Sequence, residues 1–159
     1  MSELKIGNKA PNFKLPTDGA GKISLSEFKG EKVVLYFYPK DDTSGCTAQS
    51  CDFRDNLRKF KNLGVQIIGI SKDSVASHDK FKAKYDLNFP LASDEDVKVC
   101  EAYGVWKEKS MYGKKYMGVE RSTFLIDESG KIAQIWRKVK VTGHVDEVRE
   151  AAKGLAQAA

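Results

Sequence analysis

Two of the three cysteines, Cys46 and Cys51, lie five residues apart, just after a run of β-branched and aromatic residues. A thiol reacts as its thiolate, which is scarce at neutral pH, so the surroundings of Cys46 decide its chemistry. Phe53, Leu57 and Phe60 recur at i, i+4 and i+7, the stripe of an amphipathic helix, and Cys46 stands at the start of that helix. A helix N-terminus carries roughly half a positive charge and several unpaired N–H groups, and both favour the anion. Counting back seven residues from Phe53 puts Cys46 on the inward face, near the carboxyl end of the preceding strand, where α/β sheets bind their ligands. The plain alternative is a small packed cysteine. Cys51 faces away from the stripe, towards solvent. On an ideal helix the two cysteines are about 140° apart with Cα atoms roughly 8.6 Å apart, whereas a disulfide needs less than about 7 Å. If they pair, the first turns of the helix must unwind.

The elements that hold these thiols read clearly. Val33-Val34-Leu35-Tyr36-Phe37-Tyr38 is a continuous apolar run, a strand buried on both faces, and Pro39 stops it. The polar loop Lys40 to Gly45 leads into a helix over 46–62 that ends at Leu63-Gly64, and 65–70 is a second buried strand. Strand, helix and strand make a βαβ unit, right-handed by rule. Before it, Phe13 and Leu15 alternate with polar residues as in a short edge strand, residues 17–21 turn, Ile23 and Leu25 form another strand, and 26–30 is a helical turn closed by Gly30. After it, the spacing predicts a helix over 74–85, an extended segment at 88–91, and a short helix over 94–103 that contains Cys100. Residues 107–118 (KEKSMYGKKYMG) are lysine-rich and glycine-punctuated and read as a loop. Residues 122–127 and 132–136 read as a hairpin, and 145–157 as a closing helix.

Pro39-Lys40-Asp41-Asp42-Thr43-Ser44-Gly45-Cys46 fits the pattern P-x-x-x-T-x-x-C. With its Phe-Tyr-Pro-Lys-Asp-Asp-Thr lead-in, a second cysteine five residues on, and an opening of the form G-x-x-A-P-x-F-x-L, the chain resembles the peroxiredoxins, in the bacterioferritin comigratory protein (peroxiredoxin Q) branch. The resemblance covers nearly the whole chain. It implies an α/β, thioredoxin-like fold with N-terminal peroxiredoxin additions, a central mixed β-sheet flanked by helices, as one domain over 1–159. It implies a thiol peroxidase acting on hydrogen peroxide and organic hydroperoxides, with antioxidant and redox-homeostatic duty. By resemblance Cys46 is the peroxidatic nucleophile, oxidised to a sulfenic acid. Thr43 supplies a hydroxyl to thiolate and peroxide, Pro39 shields the site, and Arg121 is a fixed cation for thiolate and developing oxyanion. Cys51 is the resolving cysteine by the same resemblance, with Cys100 or an external thiol as the alternatives, and thioredoxin or a similar dithiol recycles the disulfide. No metal, flavin or haem cofactor is implied. Two positions depart from the branch: Ser44 stands where proline is usual, and Gln49 where a glutamate that contacts the arginine is usual.

Composition bounds the rest. The chain has 159 residues, 41% hydrophobic and 31% charged, as in an ordinary soluble globular protein. No apolar run approaches the roughly 20 residues of a membrane span, and the opening Met-Ser-Glu-Leu-Lys-Ile-Gly lacks the apolar stretch of a signal peptide, so a cytoplasmic protein is expected. The net charge of +5 is spread along the chain, which argues against nucleic-acid binding. A monomer or weak homodimer is expected. A thioredoxin-like disulfide oxidoreductase is the nearest rival, but it needs C-x-x-C, and the spacing here is C-x-x-x-x-C. A metal or iron–sulfur site lacks the four-ligand count. His78 and His144 lie outside any cysteine motif, and His78 shares a helix face with Phe81, which marks it as structural.

Overall fold

The apolar run after Glu31 becomes an interior strand of the sheet, because its residues are buried from both sides. The computed structural model describes residues 4–158. In chain order the elements are β1 (Lys14–Thr17), β2 (Gly21–Ser24), β3 (Lys32–Phe37), α1 (Ser44–Asn62), β4 (Val65–Ser71), α2 (Val75–Tyr85), β5 (Leu91–Ser93), α3 (Lys98–Ala102), β6 (Trp106–Met111), β7 (Lys114–Val119), β8 (Ser122–Ile126), β9 (Ile132–Trp136) and α4 (His144–Ala158). Short 3-10 turns occupy 18–20 and 25–28. The main sheet runs β2-β1-β5-β4-β3-β8-β9. β3, β4 and β5 are parallel, while β8 lies antiparallel to β3. This is a mixed α/β sheet of the thioredoxin-like kind.

Alternation along β3 divides the core in two. Val33, Leu35 and Phe37 face one side with Cys100, Tyr103 and Phe124. Val34 and Tyr36 face the other with Cys46, Phe53, Phe60 and Val148, which come from α1 and α4. The stripe expected on α1 is buried as read: Phe53 and Phe60 are fully buried and Leu57 nearly so. Each such side chain contributes about 1.5–3 kcal/mol relative to exposure, which fixes the inward face of α1 and with it the direction of Cys46.

Three expectations need correction. β1 is an interior strand, paired with both β2 and β5, and β2 takes the edge. Leu25 belongs to a 3-10 turn and not to β2. Residues 107–118 form most of a two-stranded hairpin, β6–β7, in a sheet of its own. Its turn is Tyr112-Gly113, with φ of 52° and 78°. Positive φ at both central positions is the twist-matched hairpin turn usually written Asn-Gly or Asp-Gly, and Tyr-Gly disguised it.

Gly69 on β4 lets two layers close. A Cβ there would stand 2.8 Å from the Tyr36 ring and 2.9 Å from Leu91 Cδ2. Tyr36 has little freedom to yield, since it stacks on Phe53 at 4.7 Å and shares a 2.9 Å hydrogen bond with Ser50 on α1. Gly69→Ala is therefore expected to destabilise the fold by about 1–3 kcal/mol through overpacking. Chemical denaturation measures this, and an unchanged midpoint would refute the close packing described.

Candidate active site

The site forms where β3 ends and α1 begins. β3 hands over through buried Tyr38 and half-buried Pro39, and α1 starts at Ser44 with Thr43 as its N-cap. The side chain of Thr43 does not cap the helix. Its hydroxyl donates to the Lys40 carbonyl at 2.9 Å, while its backbone carbonyl accepts the first helical bond from Thr47 at 2.8 Å. The N–H groups of the first turn, at 44–46, are left without an intrahelical acceptor or a side-chain cap. Cys46 is the third helical residue and is 1% exposed, so its sulfur lies at the positive end of the helix and out of bulk water.

Sheet register delivers the cation. Phe37 pairs with Ser122 across β3 and β8, which sets Arg121, one residue earlier, beside the end of β3. Its Nη2 donates to Cys46 Sγ at 3.2 Å and its Nη1 to Gln49 Oε1 at 2.7 Å. Cys46 and Gln49 are three apart on α1 and so share a face, which lets one planar guanidinium span both. Gly45 makes room, because a Cβ there would meet Arg121 Nη2 at 3.0 Å. Gln49 is fully buried, and its Nε2 has no partner. Such an orphaned amide costs about 1–3 kcal/mol.

Of the sequence-expected residues, Cys46, Arg121 and Gln49 converge. Pro39 is half-buried between the end of β3 and the start of α1. Thr43 lies in the adjoining turn with its hydroxyl on Lys40 rather than on the thiol. Cys51 is half-buried and not fully turned to solvent. Cys100 is fully buried in the core on the opposite face of the sheet. Burial first, and then the nearby Asp94 carboxylate, hold its thiol well above the usual range. All three cysteines are free thiols. Ser44, which stands where proline is usual, is the first helical residue.

Two neighbours were not expected. Lys109, half-buried on β6, carries its stem across β7, within 3.2 Å of where a Gly118 Cβ would stand. Its ammonium pKa is lowered, first by burial and then by the Arg121 cation, while Cys46 acts in the opposite direction. Residues 107–118 read as a loop, so nothing local pointed to this side chain. His144 opens α4, shares a 2.8 Å hydrogen bond with Thr123 and packs edge-on against Phe53 and Trp136. Burial, and then the Arg121 cation, hold it neutral with a pKa down at about 4.

The arrangement presents a buried sulfur to a fixed cation at a helix N-terminus, which is the equipment of a reactive thiolate. Residues 6–135 match the model of the AhpC/TSA family. Peroxiredoxin Bcp of Bacillus subtilis is 49% identical over 154 residues, covering 97% of this chain and 98% of that protein. The solved bacterioferritin comigratory protein of Xanthomonas campestris, described for its alkyl peroxide reduction activity, superposes with a TM-score of 0.87 at 48% identity, over 91% of this chain and 92% of that one. A cysteine-to-serine mutant of PrxQ from Xylella fastidiosa gives 0.92 at 41% identity, over 97% and 98%.

Two outcomes follow from this geometry. Arg121→Met removes the charged donor to the sulfur, worth about 1.5–3 kcal/mol, so alkylation of Cys46 by iodoacetamide at pH 7, followed by mass spectrometry, is expected to slow roughly ten- to hundredfold. An unchanged rate would mean that the contact does not activate the thiol. Ser44→Pro places proline at the first helical position, where its missing N–H costs nothing, after a Thr43 already extended at φ −95° and ψ 156°, as a pre-proline residue should be. It is expected to add about 0.4–1 kcal/mol, raising Tm by roughly 1–4 °C. A lower Tm in calorimetry would contradict the N-terminal geometry of α1.

Proposed function

The chain belongs to the AhpC/TSA family and is a thiol-dependent peroxidase, and on that premise we propose that Cys46 is its peroxidatic nucleophile. The observation that carries this reading is the 3.2 Å contact from Arg121 Nη2 to Cys46 Sγ at the first turn of α1. The Cys46 thiolate attacks the terminal oxygen of a hydroperoxide. The O–O bond breaks, the sulfur takes the hydroxyl as a sulfenic acid, and the departing alkoxide or hydroxide picks up a proton. Arg121 and the free N–H groups of α1 oppose the charge that develops on the leaving oxygen. Pro39 limits water at the site, and Thr43 borders the peroxide's approach. Hydrogen peroxide and organic hydroperoxides are the substrate class, and a thioredoxin-like dithiol is the reductant.

Cys51 is the resolving thiol in this reading. It attacks the sulfenic sulfur, water leaves, and a disulfide forms, which a dithiol then reduces by exchange. On an intact helix the Cα atoms stand roughly 8.6 Å apart, beyond the reach of about 7 Å, so the opening turns of α1 unwind first. What supports Cys51 over Cys100 is placement and chemistry together. Cys100 packs against the far side of β3, and burial keeps its thiol protonated.

The test is mass spectrometry with rapid quench and peptide mapping after one equivalent of hydrogen peroxide. A Cys46–Cys51 disulfide is expected in the wild type and in Cys100→Ser. In Cys51→Ser, Cys46 should stop at the sulfenic acid and proceed to sulfinic acid with excess peroxide. Cys46→Ser should consume no peroxide, and full consumption by that variant would sink the assignment.

A further inference from the structure

The loop that carries Pro39 and Thr43 is moored away from the thiol, on α2. The Asp41 carboxylate is buried and accepts three hydrogen bonds: from Tyr38 Oη at 2.6 Å, Ser77 Oγ at 2.8 Å and His78 Nδ1 at 2.7 Å. The N–H of Asp41 donates to Asp73 Oδ2 at 2.9 Å. The next residue, Asp42, reaches the C-terminal turn of α2, pairing with Lys84 at 2.8 Å and accepting from Tyr85 Oη at 2.7 Å.

His78 is fully buried, and both its ring nitrogens face oxygen acceptors. Nδ1 meets Asp41 Oδ2, and Nε2 meets the Ala92 carbonyl at 3.0 Å. Tyr38 Oη, 3.4 Å from Nδ1, has its proton committed to Asp41. A neutral imidazole has one N–H and would turn a lone pair towards one of these oxygens. The imidazolium donates from both nitrogens and satisfies both, and the Asp41 carboxylate is its counter-charge.

We infer that the buried Asp41–His78 ion pair is a positioning device for the peroxidase reaction, clamping the loop over 39–43 to α2 so that the first turn of α1 presents Cys46 correctly. The inference rests on the reading of Cys46 as nucleophile. Neither residue hydrogen-bonds to Cys46, so both act through the loop. Removing one partner strands a buried charge, and the loop must then move to hydrate it. A small displacement of a nucleophile costs up to about a hundredfold in rate.

The clamp carries a pH dependence whose sign follows from its neighbours. The titratable groups facing His78 are Tyr38 and Asp41 from the chain after β3 and Asp73 from the loop after β4, and β5 adds the Ala92 carbonyl. Burial alone would lower the His78 pKa, but the Asp41 carboxylate, the carbonyl and Asp73 outweigh it, and the net direction is up. Burial keeps Tyr38 protonated, so it stays a donor throughout. A group raised in the folded state contributes fully below its unfolded value, about pH 6.5 for histidine, and its contribution is lost as pH rises through the folded value.

The decisive measurement is the protonation of His78 in the reduced wild-type protein, read from the two imidazole 15N shifts by NMR at pH 7. Both nitrogens are expected to carry protons, and a neutral tautomer would overturn the inference whatever the variants do. Rapid-mixing rates with hydrogen peroxide from pH 5.5 to 9 supply the functional readout. His78→Gln is expected to react about ten- to a hundredfold more slowly near pH 6–7 and to lack the wild type's alkaline weakening. Asp41→Asn is expected to shift the His78 titration downwards. A His78→Gln variant with the wild-type rate and profile would refute the clamp and leave Cys46 as the nucleophile. Peroxide consumption by Cys46→Ser would instead refute the reading beneath it.

Discussion

One guanidinium spans the contact on which the site depends. Arg121 reaches Cys46 and Gln49 with two nitrogens of the same rigid fork, and a fork tolerates little misalignment. That demand runs through the fold. The β3–β8 register must bring residue 121 level with the end of β3. The buried face of α1 must be fixed by Phe53, Leu57 and Phe60 so that residues 46 and 49 point the same way. Position 45 must be small enough for the approach. Each condition is met by packing that has no chemical role of its own.

The same helix is under a conflicting demand. In the reaction proposed above, attack on peroxide wants Cys46 held still at an intact N-terminus, while pairing with Cys51 wants those turns undone. The distribution of contacts along α1 is consistent with both. Phe53, Leu57 and Phe60 bury the body of the helix in the core, and Arg54 ties it to α2 by donating to the Tyr85 carbonyl at 2.6 Å. Before Phe53 the large apolar anchors run out. Tyr36 holds Ser50, and Arg121 holds Gln49. An opening at the N-terminal turns therefore breaks a few polar contacts and leaves the core of the helix in place, which is the cheaper place to open. The orphaned Nε2 of Gln49 weakens that end further.

Most of this was legible in the sequence because it is local. The apolar run of β3, the i, i+4, i+7 stripe of α1 and the second buried run of β4 each state their own element, and the motif from Pro39 to Cys46 carries the family resemblance. What was not legible depends on distant pairings or on disguise. The β6–β7 hairpin hides behind a Tyr-Gly turn and strands whose lysines read as loop, and Lys109 was hidden with it. Leu15 looked like an edge residue because the second partner of its strand, the three-residue β5, lies far along the chain. The resemblance supplied Arg121 as a site residue. Only the β3–β8 register, which joins residues 37 and 122, explains how it arrives.

The two histidines show why residue type alone could not settle their roles. Both are buried and both lie outside the cysteine motif, yet their surroundings push their pKa values in opposite directions. His144 has Thr123 as its hydrogen-bond partner, aromatic rings around it and the Arg121 cation nearby, so the field and the low polarity both keep it neutral. His78 has a carboxylate on one nitrogen and a carbonyl on the other, so its surroundings call for the cation. Charge around the site thus stands in two places. One cation stands at the sulfur, and one ion pair stands behind the loop that delivers the sulfur. Separating them by the length of that loop lets the pair hold the backbone without its carboxylate opposing the thiolate at close range. A carboxylate at hydrogen-bond distance from Cys46 would cancel much of what Arg121 provides, which is the physical reason for anchoring the loop from its far side.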